Sequence, residues 1–356
     1  MPLLTLKQAK DMSMKLMTKA GIPERDAAIL FDGMFLSSLR GHDSHGIRRI
    51  PSVCDLYIRG LELGETGKPE VVKESSATAL IDAKWYLGAV AAAQAANLAI
   101  EKAKKTGIAA VTIKNVPNMG PLGYHVENIA KQDMIGMMFV RSTAQLAPPY
   151  GGAFRAFGTN PMALAVPTGK EKPILIDMAT TSIAVQALIP LLDTGNPLPP
   201  GLALDEEGMP TTDPSKVVGS GANRKGFFAS MGGGPKGYAV MLMIDMLAGP
   251  LADSDWTENP APGKSLANPT LIIAINISTF TDVNLFKARV DERIRMIKNG
   301  KKAKGFDEIF IPGERSFRTE QKRREDGGIP ISDKDWQLFL KMADRLGVEL
   351  EPPLRE

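Results

Sequence analysis

The sequence predicts an α/β protein with a mixed sheet and a helical lobe that both ends of the chain build together. Two observations lead to this class. Apolar residues recur at helical spacing before residue 60 and again in the tail from Ser332. Between them, short apolar runs separated by turns alternate with longer helical stretches. With 356 residues, the chain is long enough to bury more than one hydrophobic core.

The N-terminal part is predicted to form two successive helices. Thr5 and Gln8 match a capping box, and Gly21 stands where the first helix should end. Pro23 then opens the second helix. The apolar positions that should face a core are Leu6, Ala9, Met12, Leu16, Ala27, Leu30, Phe31 and Met34.

The middle of the chain is predicted to hold the sheet. Strands are expected at 78–81, 109–113, 135–140, 163–166, 173–176 and 271–277. Helices are expected at 90–106, 238–247 and 282–299, and an exposed loop at 254–269, which is rich in Pro, Asn and Asp. The tail suits a helix packed back on the first lobe, because it has an acidic start followed by the apolar residues Trp336, Phe339, Leu340 and Ala343.

Composition limits the kinds of partner and compartment. Lys and Arg number 43 against 40 Asp and Glu, so we expect no nucleic acid as a partner. Cys54 is the single cysteine, which excludes an internal disulfide and predicts a reducing, cytoplasmic compartment. The start lacks the order of a secretion signal, and no apolar run reaches the roughly 18 residues that span a bilayer. We therefore expect no membrane association.

The glycine clusters do not indicate a Rossmann domain. Such a domain shows a strand followed by GxGxxG at the start of a helix, and Gly232–Gly234 lack both the spacing and the strand. The glycines around Lys236 leave two interpretations open: backbone N–H groups that bind an anion where a helix begins, or a tight turn that needs positive φ. The cluster from Gly158 to Pro161 poses the same choice.

The segment 41–49 carries most of the candidate chemistry, including two of the three histidines. An imidazole can transfer a proton near neutral pH, and a guanidinium can hold a carboxylate by two hydrogen bonds. His45 and Arg49 are four residues apart and would share one face of a helix starting here. Two alternatives stay open: a metal site formed by both histidines with Asp43, or a helix cap formed by Asp43 or Ser44.

Six motifs in order give the sequence a family resemblance. They are Asp43-Ser44-His45-Gly46 with Arg49 and Pro51; Phe157-Gly158-Thr159-Asn160-Pro161; Ile176-Asp177-Met178-Ala179-Thr180; Asp205-Glu206-Glu207-Gly208 leading to Thr211-Thr212-Asp213-Pro214; Gly233-Gly234-Pro235-Lys236-Gly237-Tyr238; and Ile311-Pro312-Gly313-Glu314. Over essentially the whole chain, the sequence resembles the malate/L-lactate dehydrogenase family, which is distinct from the classical lactate dehydrogenases.

The resemblance implies a fold and an activity. The fold would be a three-layer, sulfolactate-dehydrogenase-like arrangement with a mixed sheet, different from the Rossmann fold, in a homodimer. Residues 1–70, completed by 320–356, would form the helical substrate and dimer lobe, and residues 71–319 the cofactor-binding and catalytic domain. The activity would be hydride transfer between NAD or NADP and C2 of a small 2-oxo or 2-hydroxy carboxylate of the malate, lactate, sulfolactate or ureidoglycolate type.

The resemblance also implies roles for individual residues. His45 would act as the proton donor with Ser44 assisting, and Arg49 would hold the substrate carboxylate. Asn118 would contact the substrate. The residues implied to lie against the cofactor are Gly158, Thr159, Asp177, Met178, Ala179, Lys236, Gly313 and Glu314. No metal is implied.

Three positions depart from the family pattern. Asn118 stands where the family usually has a second active-site histidine, Val53 where many members have tyrosine, and Ala187-Leu188 where they often have glycine and a charged residue. Asn118 can donate a hydrogen bond but cannot change protonation state, so His45 would carry the acid–base work unless His125 replaces the missing histidine. Two alternatives follow: a ketimine reductase of the piperideine-2-carboxylate type, or a cofactor- and carboxylate-binding protein with weak turnover.

Overall fold

The computed structural model describes residues 2–62, 67–183, 188, 191, 194–218, 225–254 and 266–354. Within these ranges the helices are α1 (Leu6–Lys19), α2 (Glu24–Leu39), α3 (Ile50–Ile58), α4 (Gly88–Thr106), α5 (Leu122–Ala130), α6 (Pro235–Ala248), α7 (Val283–Lys298), α8 (Glu314–Glu325) and α9 (Asp333–Leu346). The strands are β1 (Leu3–Thr5), β2 (Glu70–Glu74), β3 (Thr78–Asp82), β4 (Ile108–Lys114), β5 (Met134–Val140), β6 (Met162–Val166), β7 (Ile174–Met178), β8 (Ala203–Leu204), β9 (Pro210–Thr211), β10 (Phe227–Phe228), β11 (Thr270–Asn276) and β12 (Gly328–Pro330).

The central sheet has seven strands in the order β2-β3-β4-β11-β5-β6-β7. Only the β3–β4 pair is parallel among these neighbours, and the others are antiparallel. The sheet is therefore mixed, as predicted, and differs from the parallel sheet of a doubly wound fold. All six predicted strands are present, with bounds that differ by one or two residues.

Helices cover both faces of this sheet, which gives three layers. On one face, the alanine-rich helix α4 and helix α5 pack on alternate strand residues such as Val111, Met138 and Ile272. The intervening residues Phe139 and Leu271 point to the opposite face and pack against α6. This alternation follows from the two-residue period of a strand, whose successive side chains point to opposite sides.

The helical lobe is built from both ends of the chain, as predicted. Helices α1, α2, α3 and α9 share one core, in which Leu4, Leu16, Trp336 and Phe339 are buried. Strands β1 and β12 join the two ends as an antiparallel pair, with Leu4 opposite Ile329. The predicted capping box is also present, because the Thr5 side chain accepts from the Gln8 N–H and the Gln8 side chain accepts from the Thr5 N–H.

Several elements do not follow from the sequence pattern. Helix α5 is buried on most of its surface, and α8 is so rich in charged residues that it shows no clear apolar face. A small sheet of β10, β8 and β9 consists of two-residue strands. Of the loop predicted at 254–269, residues 255–265 lie outside the described residues. No helix in the described ranges is long and apolar enough to cross a membrane.

A buried polar junction connects the sheet to α6. Asn160 is fully buried; its Oδ1 accepts from the Ser142 N–H at 3.1 Å, and its Nδ2 donates to the Met241 carbonyl at 3.2 Å and to the Asp245 carboxylate at 3.0 Å. Asp245 also pairs with Arg141 at 3.3 Å. This amide satisfies polar groups on two other segments, the loop leaving β5 and helix α6, and so ties both to the loop entering β6.

Replacing Asn160 by Ala should lower the free energy of unfolding by roughly 2–4 kcal/mol, because buried donors and acceptors lose their partner. Urea denaturation followed by circular dichroism measures the change. Gln321→Ala is the control; its side chain donates only to the exposed Glu325, so the change should stay within about 0.5 kcal/mol. Equal stability of Asn160→Ala and the unmodified protein would contradict this role.

Candidate active site

A cavity of about 410 Å³ lies at one edge of the central sheet, where the helical lobe meets it. Its volume falls within the roughly 300–1,000 Å³ of small-molecule sites. The ends of β5 and β7 and the segments entering β6 and β11 converge here, because antiparallel neighbours begin and end at the same edge. The lining residues include Ser37, His42, Ser44, His45, Asn118, Met119, Gly120, Pro121, Leu122, Val140, Ser142, Thr159, Pro161, Asp177, Met178, Ala179 and Asn268.

His45 opens onto this cavity from a short 3-10 turn, Asp43–His45. The Ser44 hydroxyl lies 3.0 Å from His45 Nδ1. Ser44 can therefore fix the tautomer and orientation of the ring and leave Nε2 free to act on a ligand. The structure brings both predicted catalytic residues into the cavity, and their catalytic role stays a prediction.

The prediction of one helix carrying His45 and Arg49 on a common face is wrong. Gly46 is extended at φ −88° and ψ −167° and separates two 3-10 turns. A Cβ at Gly46 would lie 2.1 Å from Ser38 Oγ, which also accepts from the Ile47 N–H. Because Gly46 is extended, His45 and Arg49 do not share one helical face, and Arg49 is not among the lining residues of the cavity.

The structure also bears on the two alternatives for segment 41–49, a helix cap and a metal site. Asp43 pairs with Arg323 at 2.9 Å, and no side chain caps the 3-10 turn, so the capping interpretation is wrong. Among the described residues, no group of three or more His, Cys, Asp or Glu is placed to hold a metal ion.

The surroundings of His45 favour a neutral ring. The side chain of His45 is exposed toward the cleft, and the protein around it removes only part of its water. This desolvation, together with the positive charges of Arg49, His42 and Arg48, lowers the pKa of His45 to about 4. At neutral pH the imidazole is therefore a base with a free lone pair.

Asp177 stands near the end of β7 and lines the same cavity as His42 and His45. Its Oδ2 accepts from the Gly123 N–H at 2.7 Å, at the first turn of α5. Desolvation raises the pKa of this carboxyl, while the Gly123 hydrogen bond and the charges of His42 and Arg40 oppose the rise. A Cβ at Gly123 would lie 3.0 Å from this carboxylate oxygen, a tight contact that favours glycine here.

His42 and Asp177 also line a smaller side chamber of about 110 Å³. His42 Nε2 lies 2.9 Å from the hydroxyl of Ser316 on α8, which fixes the ring at the junction of the two spaces. The sequence did not assign a catalytic role to His42, and it gave no sign that Ser37, Ser142, Asn268 or Ser316 would reach the site. These residues come from separate segments that only the fold brings together.

The three departures from the family pattern lie in different places. Asn118 lines the cavity; its Oδ1 accepts from the Gly120 N–H at 3.0 Å, which leaves its amide nitrogen for a ligand. Val53 is buried in the helical lobe, and Leu188 is fully buried in a cluster with Leu198 and Phe228. Neither lines the cavity, and Ala187 lies outside the described residues.

His125 does not replace the missing histidine. It is 2% exposed within α5, its Nε2 lies 3.2 Å from the Met119 carbonyl, and it does not line the cavity. Complete burial lowers its pKa to about 4. Its ring therefore acts as part of the packing under the site.

The residues implied to contact a cofactor divide into two groups. Thr159, Asp177, Met178 and Ala179 line the cavity, and Gly313 lines the side chamber. The other three, Gly158, Lys236 and Glu314, do not line either space.

Each residue of the second group has a structural explanation. A Cβ at Gly158 would lie 2.1 Å from the Ser142 carbonyl, so close packing requires glycine. Lys236 is exposed in the first turn of α6, after Gly232 and Gly233, which have φ of +72° and +65°. These angles support the interpretation of a tight turn. Glu314 pairs with Lys298 and Arg318 and accepts from the Ile311 N–H.

The fold has close counterparts among solved structures. The sulfolactate dehydrogenase of Methanocaldococcus jannaschii superposes with a TM-score of 0.88 at 35% identity, and the match covers 98% of each chain. The Δ1-piperideine-2-carboxylate reductase of Pseudomonas syringae pvar. tomato superposes with a TM-score of 0.83 at 26% identity, covering 96% of this chain and all of the other. The architecture is therefore the three-layer, sulfolactate-dehydrogenase-like fold that the resemblance implied.

The sequence comparisons give the class and the family. The malate dehydrogenase of Pyrococcus abyssi is 36% identical over 339 residues, which is 94% of this chain and 92% of the relative. Together with the fold, this similarity places the chain among the oxidoreductases of small hydroxy acids. A family model described as malate/L-lactate dehydrogenase matches residues 4–339, and the chain belongs to that family.

His45 should titrate near pH 4 instead of the ordinary 6.5, so that its ring stays neutral at pH 7 and takes up a proton only as the pH falls through about 4. The ring ¹³C chemical shift in histidine-labelled protein, followed against pH, measures this midpoint. The chain has three histidines, so the signal that disappears in His45→Gln assigns the resonance. A midpoint near 6.5 would show that the cleft does not desolvate the ring.

Proposed function

We propose that this chain is an NAD(P)-dependent 2-hydroxyacid dehydrogenase that interconverts a small 2-hydroxy carboxylate and its 2-oxo counterpart, of the malate, lactate, sulfolactate or ureidoglycolate type. One observation carries the proposal. A desolvated imidazole, held by the Ser44 hydroxyl at 3.0 Å, opens into the same cavity as the Asp177-Met178-Ala179 segment. Such an arrangement suits proton transfer at the oxygen of a bound hydroxy acid.

The walls of the cavity fit a nicotinamide group. Met178, Leu122 and Pro161 offer an apolar surface for a flat ring, and Ser142 and Asn268 add polar groups beside it. When bound there, the cofactor would supply or accept the hydride at C2 of the substrate. Residues on the sheet side of the cavity would hold it, and the histidine segment would remain available to the substrate.

His45 is proposed to move the proton. If Ser44 accepts the hydrogen of Nδ1, then Nε2 presents its lone pair to the substrate hydroxyl and takes the proton as a hydroxy acid is oxidised. In the reverse direction the same nitrogen returns the proton to the forming hydroxyl. A pKa of about 4 leaves the free protein in the base form, which suits oxidation directly.

The substrate carboxylate is proposed to bind between Asn118 and the positive side of the histidine segment. The amide nitrogen of Asn118 is available for a hydrogen bond inside the cavity. Arg49 acts on His45 through its charge, so it also raises the local positive potential. A direct contact of Arg49 with substrate stays a prediction, because its side chain does not line the cavity.

A second candidate function is reduction of a cyclic ketimine carboxylate. The similarity to the Δ1-piperideine-2-carboxylate reductase of Pseudomonas syringae pvar. tomato supports it. A C=N substrate that enters as the iminium already carries its proton and needs less from an acid. Loss of the second histidine at position 118 would then matter less.

A substrate screen distinguishes these functions. NADH and NADPH are each tested with pyruvate, oxaloacetate, sulfopyruvate and piperideine-2-carboxylate. Oxidation of the reduced cofactor is followed by the loss of its absorbance. Turnover of an open-chain 2-oxo acid is the expected result. A strong preference for the cyclic imine would select the second candidate. Tight cofactor binding without turnover of any substrate would show a binding protein with weak activity and overturn the proposal.

His45→Gln should lower kcat by roughly 10²–10⁴-fold, because general acid–base catalysis contributes about that much. Affinity for NADH, measured by fluorescence titration, should change little, since the proposed cofactor wall lies on the sheet. His125→Gln is the matched control; it removes an imidazole outside the cavity and should retain turnover even where stability falls. Equal kcat in His45→Gln and the unmodified enzyme would exclude His45 as the proton carrier.

The homodimer and the cytoplasmic location stay predictions. An apolar surface near α6 is compatible with a dimer, since Met243, Met246 and Leu251 are 45%, 41% and 57% exposed. Light scattering should give twice the chain mass of 38.3 kDa. A mass equal to one chain at micromolar concentration would contradict the dimer.

A further inference from the structure

Arg40 lies at the C-terminal end of α2, just before the histidine segment, and is only 8% exposed. Its guanidinium donates to both carboxylate oxygens of Glu127 on α5, at 2.7 and 3.0 Å. A third hydrogen bond of 2.9 Å reaches Glu320 on α8. The guanidinium also lies 4.7 Å from the ring centre of Phe317, on the same helix. One side chain thus connects three helices that are distant in sequence.

Each helix that Arg40 connects carries or fixes a different group of the cavity. Helix α2 leads directly into His42 and His45. Helix α5 carries Gly123 in its first turn, and the Gly123 N–H donates to the Asp177 carboxylate at 2.7 Å. Helix α8 carries Ser316, which lies 2.9 Å from His42. Arg40 therefore connects the part of the cavity that carries His42 and His45 with the part that carries Asp177.

Arg40 is not placed to bind a substrate anion itself. Two carboxylates already surround its charge, and Glu320 is further paired with Arg324 at 2.8 Å. The planar guanidinium fork matches Glu127 in a bidentate pair, which lysine cannot reproduce. The hydrogen bonds fix the orientation of this buried guanidinium. Removing one of its carboxylate partners would leave an uncompensated charge.

We infer that Arg40 is a positioning residue, which sets the placement of His45 relative to Asp177 by tying α2 to α5 and α8. The inference rests on the proposed function, because only a reaction that uses both walls depends on this placement. Displacements of about 1 Å at a reacting group can cost about 10²-fold in rate. Loss of the guanidinium fork should therefore affect catalysis more than cofactor binding.

Arg40→Lys is the first test. It keeps the charge and removes the fork, and it should lower kcat roughly 10- to 100-fold while the KM for the cofactor stays within about threefold. The matched control is Arg345→Lys, since Arg345 pairs with Asp55 at 2.7 Å between α9 and α3, away from the cavity. The control should keep both constants. A kcat of Arg40→Lys within twofold of the unmodified enzyme overturns the inference.

Chemical rescue separates positioning from a general loss of structure. Arg40 lines the side chamber of about 110 Å³, so Arg40→Ala should enlarge this space enough to admit a guanidinium ion. Millimolar guanidinium should then restore part of kcat in Arg40→Ala and have no such effect on Arg345→Ala. If Arg40→Ala does not fold, Glu320→Gln serves instead, with a smaller loss of kcat expected. An activity loss that no added guanidinium reverses, and that follows Tm alone, overturns the inference.

A readout without turnover distinguishes this inference from the proposed function. In histidine-labelled protein without substrate, Arg40→Lys should shift and broaden the ring signals of His42 and His45, whereas Arg345→Lys should leave them unchanged. Unchanged signals in Arg40→Lys overturn the positioning role. If the unmodified protein turns over no substrate but the signals shift, the proposed function fails and the placement by Arg40 still holds.

Discussion

The candidate site depends on the pairing of one buried cation. The helical lobe and the sheet have separate hydrophobic cores, and non-directional packing alone would let them meet at a range of positions. The guanidinium of Arg40 restricts the relative placement of the helices, because its hydrogen bonds to Glu127 and Glu320 form only when α2, α5 and α8 adopt one arrangement. This arrangement places His45 and Asp177 on the walls of one cleft.

Partial desolvation and nearby charges together shift the titrating groups of the cleft. Desolvation lowers the pKa of His45 and raises that of Asp177, so both groups are moved toward their neutral forms. A bound carboxylate would add a negative charge near His45 and favour its protonated form. The free site is therefore ready to accept a proton, and a bound carboxylate would increase the fraction of imidazole that carries the proton needed in the reverse direction. The same residue can serve both directions of a hydroxy acid dehydrogenase.

Much of the fold follows from local patterns. Strand and helix periods are local properties, so the six predicted strands and the N-terminal capping box lie where the sequence placed them. Helix α8 has no apolar period to detect. It is held in place by tertiary ion pairs such as that between Arg40 and Glu320, which leave no periodic pattern in the sequence. The separation of Arg49 from His45 has a similar cause, since the backbone of Gly46 must pack against Ser38.

The sequence by itself determined the elements, the two-ended lobe, the family and the residue types that perform the proposed chemistry. These properties depend on periodicity and on motifs, which are contiguous along the chain. The tertiary structure alone decided that His125 and Leu188 are packing residues, and that His42, Ser316 and Arg40 belong to the site. Contacts between residues 40, 127 and 320 depend on how separate helices pack, and no spacing within the sequence records that geometry.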